Sequence, residues 1–215
     1  MLKHNYLSTG LFSLVILSSG YTTQAFADSK QIEQGKALFN QNCQVCHQAD
    51  AIGKPGFAPS LTNKELLSIG TDKFFMSTVR DGRLGTGMPP MAHLGKEKIT
   101  DIVAYLRSHA TLPDRSTEVN AQPKATGDKK NGQSLFALIC AGCHGDDGQG
   151  YAAGVAGTAI GKAGFLNKVS DGFIRTMIKE GRSNTRMRGF SGSGGLANLT
   201  DSEIDDVIVY LRGLN

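Results

Sequence analysis

Two pentapeptides, "CQVCH" and "CAGCH", use all four cysteines of the chain and put a histidine directly behind each pair: Cys43, Cys46 and His47, then Cys140, Cys143 and His144. Any fold of this chain must satisfy three reactive side chains within one turn, twice over. Four chemistries use paired cysteines at this spacing: a disulfide, a redox dithiol, a zinc site and covalent attachment of a haem.

A disulfide needs no histidine. A thioredoxin-like dithiol calls for a βαβ setting, and no run of alternating β-branched residues surrounds either pair. Zinc could use two cysteine pairs, but these lie almost a hundred residues apart, far beyond finger or ribbon spacing. Haem attachment uses all three residues together. Two thiols add to the two vinyl groups, and the next imidazole sits below the iron as proximal ligand. The pattern predicts two covalently attached c-type haems.

Laying one half of the chain on the other shows what faces the opposite side of each iron. Residues 35–50 match 132–147 without a gap, 81–91 match 180–190, and 99–108 match 204–213, in the same order. The chain is a tandem duplication. In the middle block Met88 and Met187 fall in register, each six residues after its glycine, Gly82 or Gly181. Met91 is matched by Phe190, so the repeat favours Met88 as the sixth ligand of the first half. His144 is the only histidine of the second half, which disfavours a bis-histidine haem there. His93 faces Gly192 and is read as a loop residue, His109 as a surface residue past the last helix, and Met76 and Met177 as core.

The flanking blocks carry helical periodicity. Ile32, Gly35, Leu38 and Phe39 recur as Gly132, Leu135 and Phe136. Ile99, Ile102, Val103 and Leu106 recur as Ile204, Val207, Ile208 and Leu211. "TDSE" at 200–203 is a capping box, Thr71 and Ser170 are N-caps, and Gly82 and Gly181 stop the helices they follow. The glycines at 35 and 132 leave room for a crossing helix. The expected fold is all-α, with a first and a last helix crossing in each half and loops between them, including the glycine-rich 146–161, wrapping the haem.

The N-terminal 27 residues form a separate unit. Lys3 precedes an apolar run too short to span a bilayer, and "AFA" at 25–27 offers small residues at a cleavage site. This reads as a secretory signal peptide cleaved after Ala27, which places the mature chain in the periplasm with no transmembrane segment. Its removal takes the formal charge from +4 to +3, too little to imply nucleic acid or a membrane surface as partner. The remainder divides into domains at 28–112 and 127–215, joined by a polar linker, 113–126, that contains Pro113 and Pro123.

Each half resembles a class I cytochrome c domain, and the mature chain resembles the two-domain di-haem cytochromes c of bacteria. The resemblance rests on the two attachment motifs, the Gly and Phe pair of the first helix, the methionine loops, and the "VAYLR" and "IVYLR" last helices. It implies that first and last helices pack together, that the methionine loop caps the iron, and that a proline carbonyl fixes the proximal imidazole. Pro59 matches that role for His47, and the second half has no equivalent proline. The implied function is transfer of single electrons between respiratory partner proteins, with no substrate turnover of its own. Two alternatives come with the resemblance: a di-haem enzyme of the peroxidase or thiosulfate dehydrogenase type, and a cytochrome subunit of a larger dehydrogenase. The absence of a fifth cysteine disfavours cysteine ligation. Seven cationic residues between Lys162 and Arg188 mark a candidate docking face for an acidic partner.

Each half has fewer than ninety residues, a size at which a protein core alone is marginal and a covalent apolar plate adds core. Replacing both thiols of a motif, Cys43→Ser with Cys46→Ser, is expected to abolish native-like helicity in that domain by circular dichroism. Retained helicity would contradict the expectation.

Overall fold

The computed structural model describes Met1 and residues 29–214. The signal-peptide reading falls outside the described residues. The first half contains α1 (Ser29–Asn42), α2 (Gln44–His47), α3 (Lys64–Ile69), α4 (Asp72–Asp81) and α5 (Gly95–Ser108). A short helix, α6 (Ser116–Asn120), leads to the second half: α7 (Lys129–Leu135), a π turn at Phe136–Cys140, α8 (Ala141–His144), α9 (Ala163–Leu166), α10 (Asp171–Glu180) and α11 (Asp201–Arg212). Among the described residues the only β-type pairings are isolated bridges, so the all-α expectation holds.

Local chemistry sets the helix ends. Thr71 and Ser170 accept from the backbone N–H groups of Phe74 and Phe173, at 3.0 and 3.1 Å, and cap α4 and α10. Thr200 and Glu203 form the reciprocal capping box of α11. Gly82 and Gly181 follow α4 and α10 at φ 67° and 74°, a conformation that favours glycine.

The first and last helices of each half cross at glycine. A Cβ on Gly35 would overlap the carbonyl oxygen of Asp101 in α5, and one on Gly132 would overlap that of Asp206 in α11. The close approach lets Phe39 meet Tyr105 and Phe136 meet Tyr210, both with ring centroids 5.3 Å apart. Phe39 and Phe136 are almost wholly buried, worth about 1.5–3 kcal/mol each. An arginine on each last helix then pins the chain that leads into α4 or α10. Arg107 donates to Leu67 O, Gly70 O and Asp72, and Arg212 to Leu166 O, Val169 O and Asp171.

A third core joins the halves. Leu66, Leu67, Ile69, Phe75 and Val103 meet Val119 of α6 and Phe173 and Met177 of α10. The 113–126 segment, read as a polar linker, carries α6 and is anchored to both halves at a few points. Ser116 and Val119 are buried, Ser68 Oγ donates to Pro113 O at 2.9 Å, and Arg115 grips Glu180 with two bonds of 2.7 Å. The segment is mostly exposed, and Ser116 and Val119 are its buried points. Across the junction Asn63 donates to Ser183 O at 2.7 Å, and Ser183 donates to Glu65 through N and Oγ at 2.9 and 3.0 Å.

Gly35→Ala forces the helix crossing apart and is expected to destabilise the protein by about 1–3 kcal/mol in a guanidinium titration. Gly194→Ala, where a Cβ meets nothing within 4 Å, is expected to change stability by no more than about 0.5 kcal/mol.

Candidate haem sites

The attachment motifs lie where a first helix gives way to one short turn. His47 N donates to Cys43 O at 2.9 Å, so Cys43, Cys46 and His47 share a single helical turn. Gly145 after α8 takes φ 79°, and Gln48 takes the same turn after α2 at φ 65° despite its side chain. Both turns swing the following loop back over the imidazole.

That loop supplies one carbonyl to each ring. His47 Nδ1 donates to Pro59 O at 2.9 Å, and His144 Nδ1 donates to Thr158 O at 2.8 Å. The second half reaches the same geometry without a proline. Gly157 makes this possible: its N–H donates to Cys143 O at 2.6 Å, and a Cβ there would press on that oxygen and on His144 Nδ1. The glycine-rich 146–161 stretch is a wrapping loop, tied back on itself by Ile160 N and Gly161 N donating to Gly148 O. With Nδ1 committed, Nε2 is the nitrogen each ring can offer a metal, the arrangement common to histidine ligands. Burial pushes both imidazoles below their ordinary pKa, the carbonyl bond opposes this, and Arg83 at His47 or Arg182 at His144 adds to the lowering. Both rings are therefore neutral at pH 7, the form that coordinates iron.

The thiols fit attachment better than redox chemistry. None of the four cysteines is in a disulfide. Burial, helped by the neighbouring cysteine, pushes Cys43 and Cys140 up to about 11, whereas redox dithiols depress a thiol. Among the described residues no three His, Cys, Asp or Glu side chains converge on a metal position.

The methionine loops are built alike. Arg83 N donates to Met88 O at 3.1 Å and Arg182 N to Met187 O at 2.6 Å, closing each loop at its neck. Inside, Thr86 Oγ1 donates to Arg83 O at 2.8 Å and accepts from Met88 N at 3.2 Å. Thr185 does the same with Arg182 O and Met187 N, at 2.7 and 3.1 Å. Arg83, Thr86 and Thr185 were not singled out from the sequence, and Arg182 was taken only as part of a cationic stretch. Their signal was present, since Gly-Arg-x-x-Thr-x-Met is identical in both repeats. Met88 and Met187 are half-buried, and Met187 packs against the junction core. His93 and His109 are exposed, Met177 is buried and Met76 packs at the junction.

The cationic stretch at 162–188 is not one open face. Lys168 donates to Ser77 O and Asp81, Arg175 is buried against Asp205, Lys179 pairs with Asp201, and Arg182 donates to Ser60 O. Arg186 and Arg188, flanking Met187, remain exposed.

Residues 30–106 match the family described as cytochrome C oxidase, cbb3-type, subunit III, and residues 129–215 match the family cytochrome c. The chain is similar to the cbb3-type cytochrome c oxidase subunit CcoP of Rubrivivax gelatinosus, with 35% identity over 73% of this chain and 48% of that protein. It is also similar to subunit FixP of Bradyrhizobium diazoefficiens, at 29% identity over 84% of this chain and 60% of that protein. Subunit CcoP of Azospirillum brasilense is 30% identical over 84% of this chain and 61% of its own length. The chain therefore spans about half to three fifths of these curated relatives.

Thr86→Val and Thr185→Val each remove the hydroxyl that ties a methionine loop. Either is expected to cost about 1 kcal/mol, read as a lower denaturant midpoint for the domain concerned. An unchanged midpoint in both variants would show that the loops are held by other contacts.

Proposed function

The chain belongs to the cytochrome c family in both halves and carries two covalently attached c-type haems, and on that premise we propose that it is a relay passing single electrons between protein partners in the periplasm. The observation that carries the reading is the repeated pair of an imidazole aimed by a loop carbonyl and a methionine loop closed by the same three bonds. Cys43, Cys46, Cys140 and Cys143 would form the thioethers to the haems, His47 and His144 would ligate the irons through Nε2, and Met88 and Met187 would supply the remaining ligand of each. A haem held this way supplies one reversible electron per iron at a raised potential.

The residues do the rest. The carbonyl bonds of Pro59 and Thr158 keep each ring in one tautomer and orientation, which limits rearrangement when the electron arrives. The Met88 and Met187 thioethers would hold the haem iron closed to water and substrates. The two proximal loops both face the junction, since Ser60 and Ala159, next to the histidine-bonded carbonyls, accept from the opposite half. That placement favours passage of an electron between halves. Arg186 and Arg188 beside Met187 offer a small cationic surface to an acidic partner. A second reading, a cytochrome subunit within an oxidase, is favoured by the cbb3-type oxidase subunits among the relatives. It shares the same chemistry and differs in the permanence of the partner. Among the described residues no helix is long and apolar enough to cross a membrane.

The test is the oxidised optical spectrum of the holoprotein in the region of the methionine-sulfur to iron charge-transfer band, with haem quantified per chain. Two haems and two such ligations are expected, with Met88→Ala and Met187→Ala each removing one half of the band. A band unaffected by either substitution, or a water-ligated iron in the resting protein, would replace the relay with a catalyst.

A further inference from the structure

The junction contains two arginines that cross. Arg83, at the neck of the Met88 loop, sends its guanidinium into the second half and donates to Ala159 O at 3.0 Å. Ala159 follows Thr158, whose carbonyl receives the His144 Nδ1 proton. Arg182, at the neck of the Met187 loop, sends its guanidinium into the first half and donates to Ser60 O at 2.9 Å. Ser60 follows Pro59, whose carbonyl receives the His47 Nδ1 proton. The two contacts are the same contact under exchange of the halves.

This placement is costly. Burial and mutual repulsion push Arg83 down to about 10, so it stays charged at neutral pH, and burial lowers Arg182 as well. The Tyr151 phenol opposes the lowering at both, and Glu65 does so at Arg182. Neither arginine forms an ion pair within the described residues, and Arg182 Nε is buried without a partner. The Arg83 guanidinium lies over the Phe165 ring at 4.9 Å, which fixes its plane. Among the described residues the NH2 atom of each arginine donates to the carbonyl next to the opposite half's histidine acceptor.

We propose that Arg83 and Arg182 are crossed positioning residues, each holding in place the backbone that orients the proximal histidine of the opposite domain. The methionine loop of one half and the histidine loop of the other then move as a unit, because a single residue belongs to both. Lysine cannot substitute: it keeps the charge but lacks the planar fork and the stacking face. A disturbance made in one domain is felt at the iron of the other.

The inference rests on His47 and His144 being the iron ligands. The experiment uses the reduced holoprotein and measures, by NMR, the solvent exchange of the two imidazole Nδ1 protons. Arg83→Lys keeps the charge that Arg83 presents to His47 and loses the bond to the opposite loop, so it is expected to speed exchange at His144 about tenfold and to change it far less at His47, and Arg182→Lys to do the reverse. Each variant is also expected to change the electron affinity of the opposite haem by about threefold, or about 28 mV at about 59 mV per tenfold for one electron. Phe165→Leu removes the ring beneath Arg83 and leaves both carbonyl bonds possible. It is expected to give a weaker form of the Arg83 result, and stands in for Arg83→Lys if that variant does not fold. A response confined to the histidine of the substituted arginine's own half, or a response at neither, overturns the proposal. Missing ligated-imidazole signals in the unsubstituted protein would instead overturn the ligand assignment.

Discussion

Each half of this protein is arranged around one hydrogen bond, from a histidine Nδ1 to a backbone carbonyl two loop turns away. A metal bound by imidazole is only as well placed as the ring's other nitrogen allows. The rest of the half serves that bond. The first helix delivers the ring, the last helix crosses the first at a glycine to back it, and a glycine-permitted loop returns the carbonyl. The two halves reach the same distance by different residues, proline in one and a threonine after a close-packed glycine in the other. The constraint therefore acts on the position of an oxygen, and side-chain identity at that point is free to drift.

Duplication adds a second requirement, because two small cores side by side do not by themselves make one body. The junction core of Leu66, Phe75, Val119, Phe173 and Met177 excludes water between the halves. Within that shelter, polar bonds such as Asn63 to Ser183 and Ser183 to Glu65 gain strength from the lowered dielectric. The segment at 113–126 adds a bidentate Arg115–Glu180 pair at its rim. For an electron relay a fixed junction matters more than a strong one, since the distance between the two sites must not wander.

Cations on this chain illustrate how poorly a charge run in sequence forecasts a surface. Lys168, Arg175, Lys179 and Arg182 lie among seven cationic residues of one stretch, and each is engaged by an acceptor within the chain. Arg175 and Lys179 lie on α10 and Lys168 and Arg182 on the chain either side of it, so each meets a different acceptor. Arg186 and Arg188 stay exposed on a loop whose ends are bridged by Gly181 and Arg188.

Much of the fold was legible in the residues. The duplicated motif, the capping residues Thr71, Ser170 and Thr200, the crossing glycines and the last-helix periodicity each act locally, within about one turn, and so can be read without knowing what lies across the molecule. The attachment motifs can be proposed from the residues for the same reason, since their chemistry depends on spacing alone. What only the tertiary structure decided is which distant groups meet: that Thr158 O replaces a proline carbonyl, that the linker is buried at Val119, and that Arg83 and Arg182 each reach into the other half. Those contacts join residues about 14 to 122 positions apart. Their existence depends on the accumulated directions of every helix between, a sum that no short stretch of sequence contains.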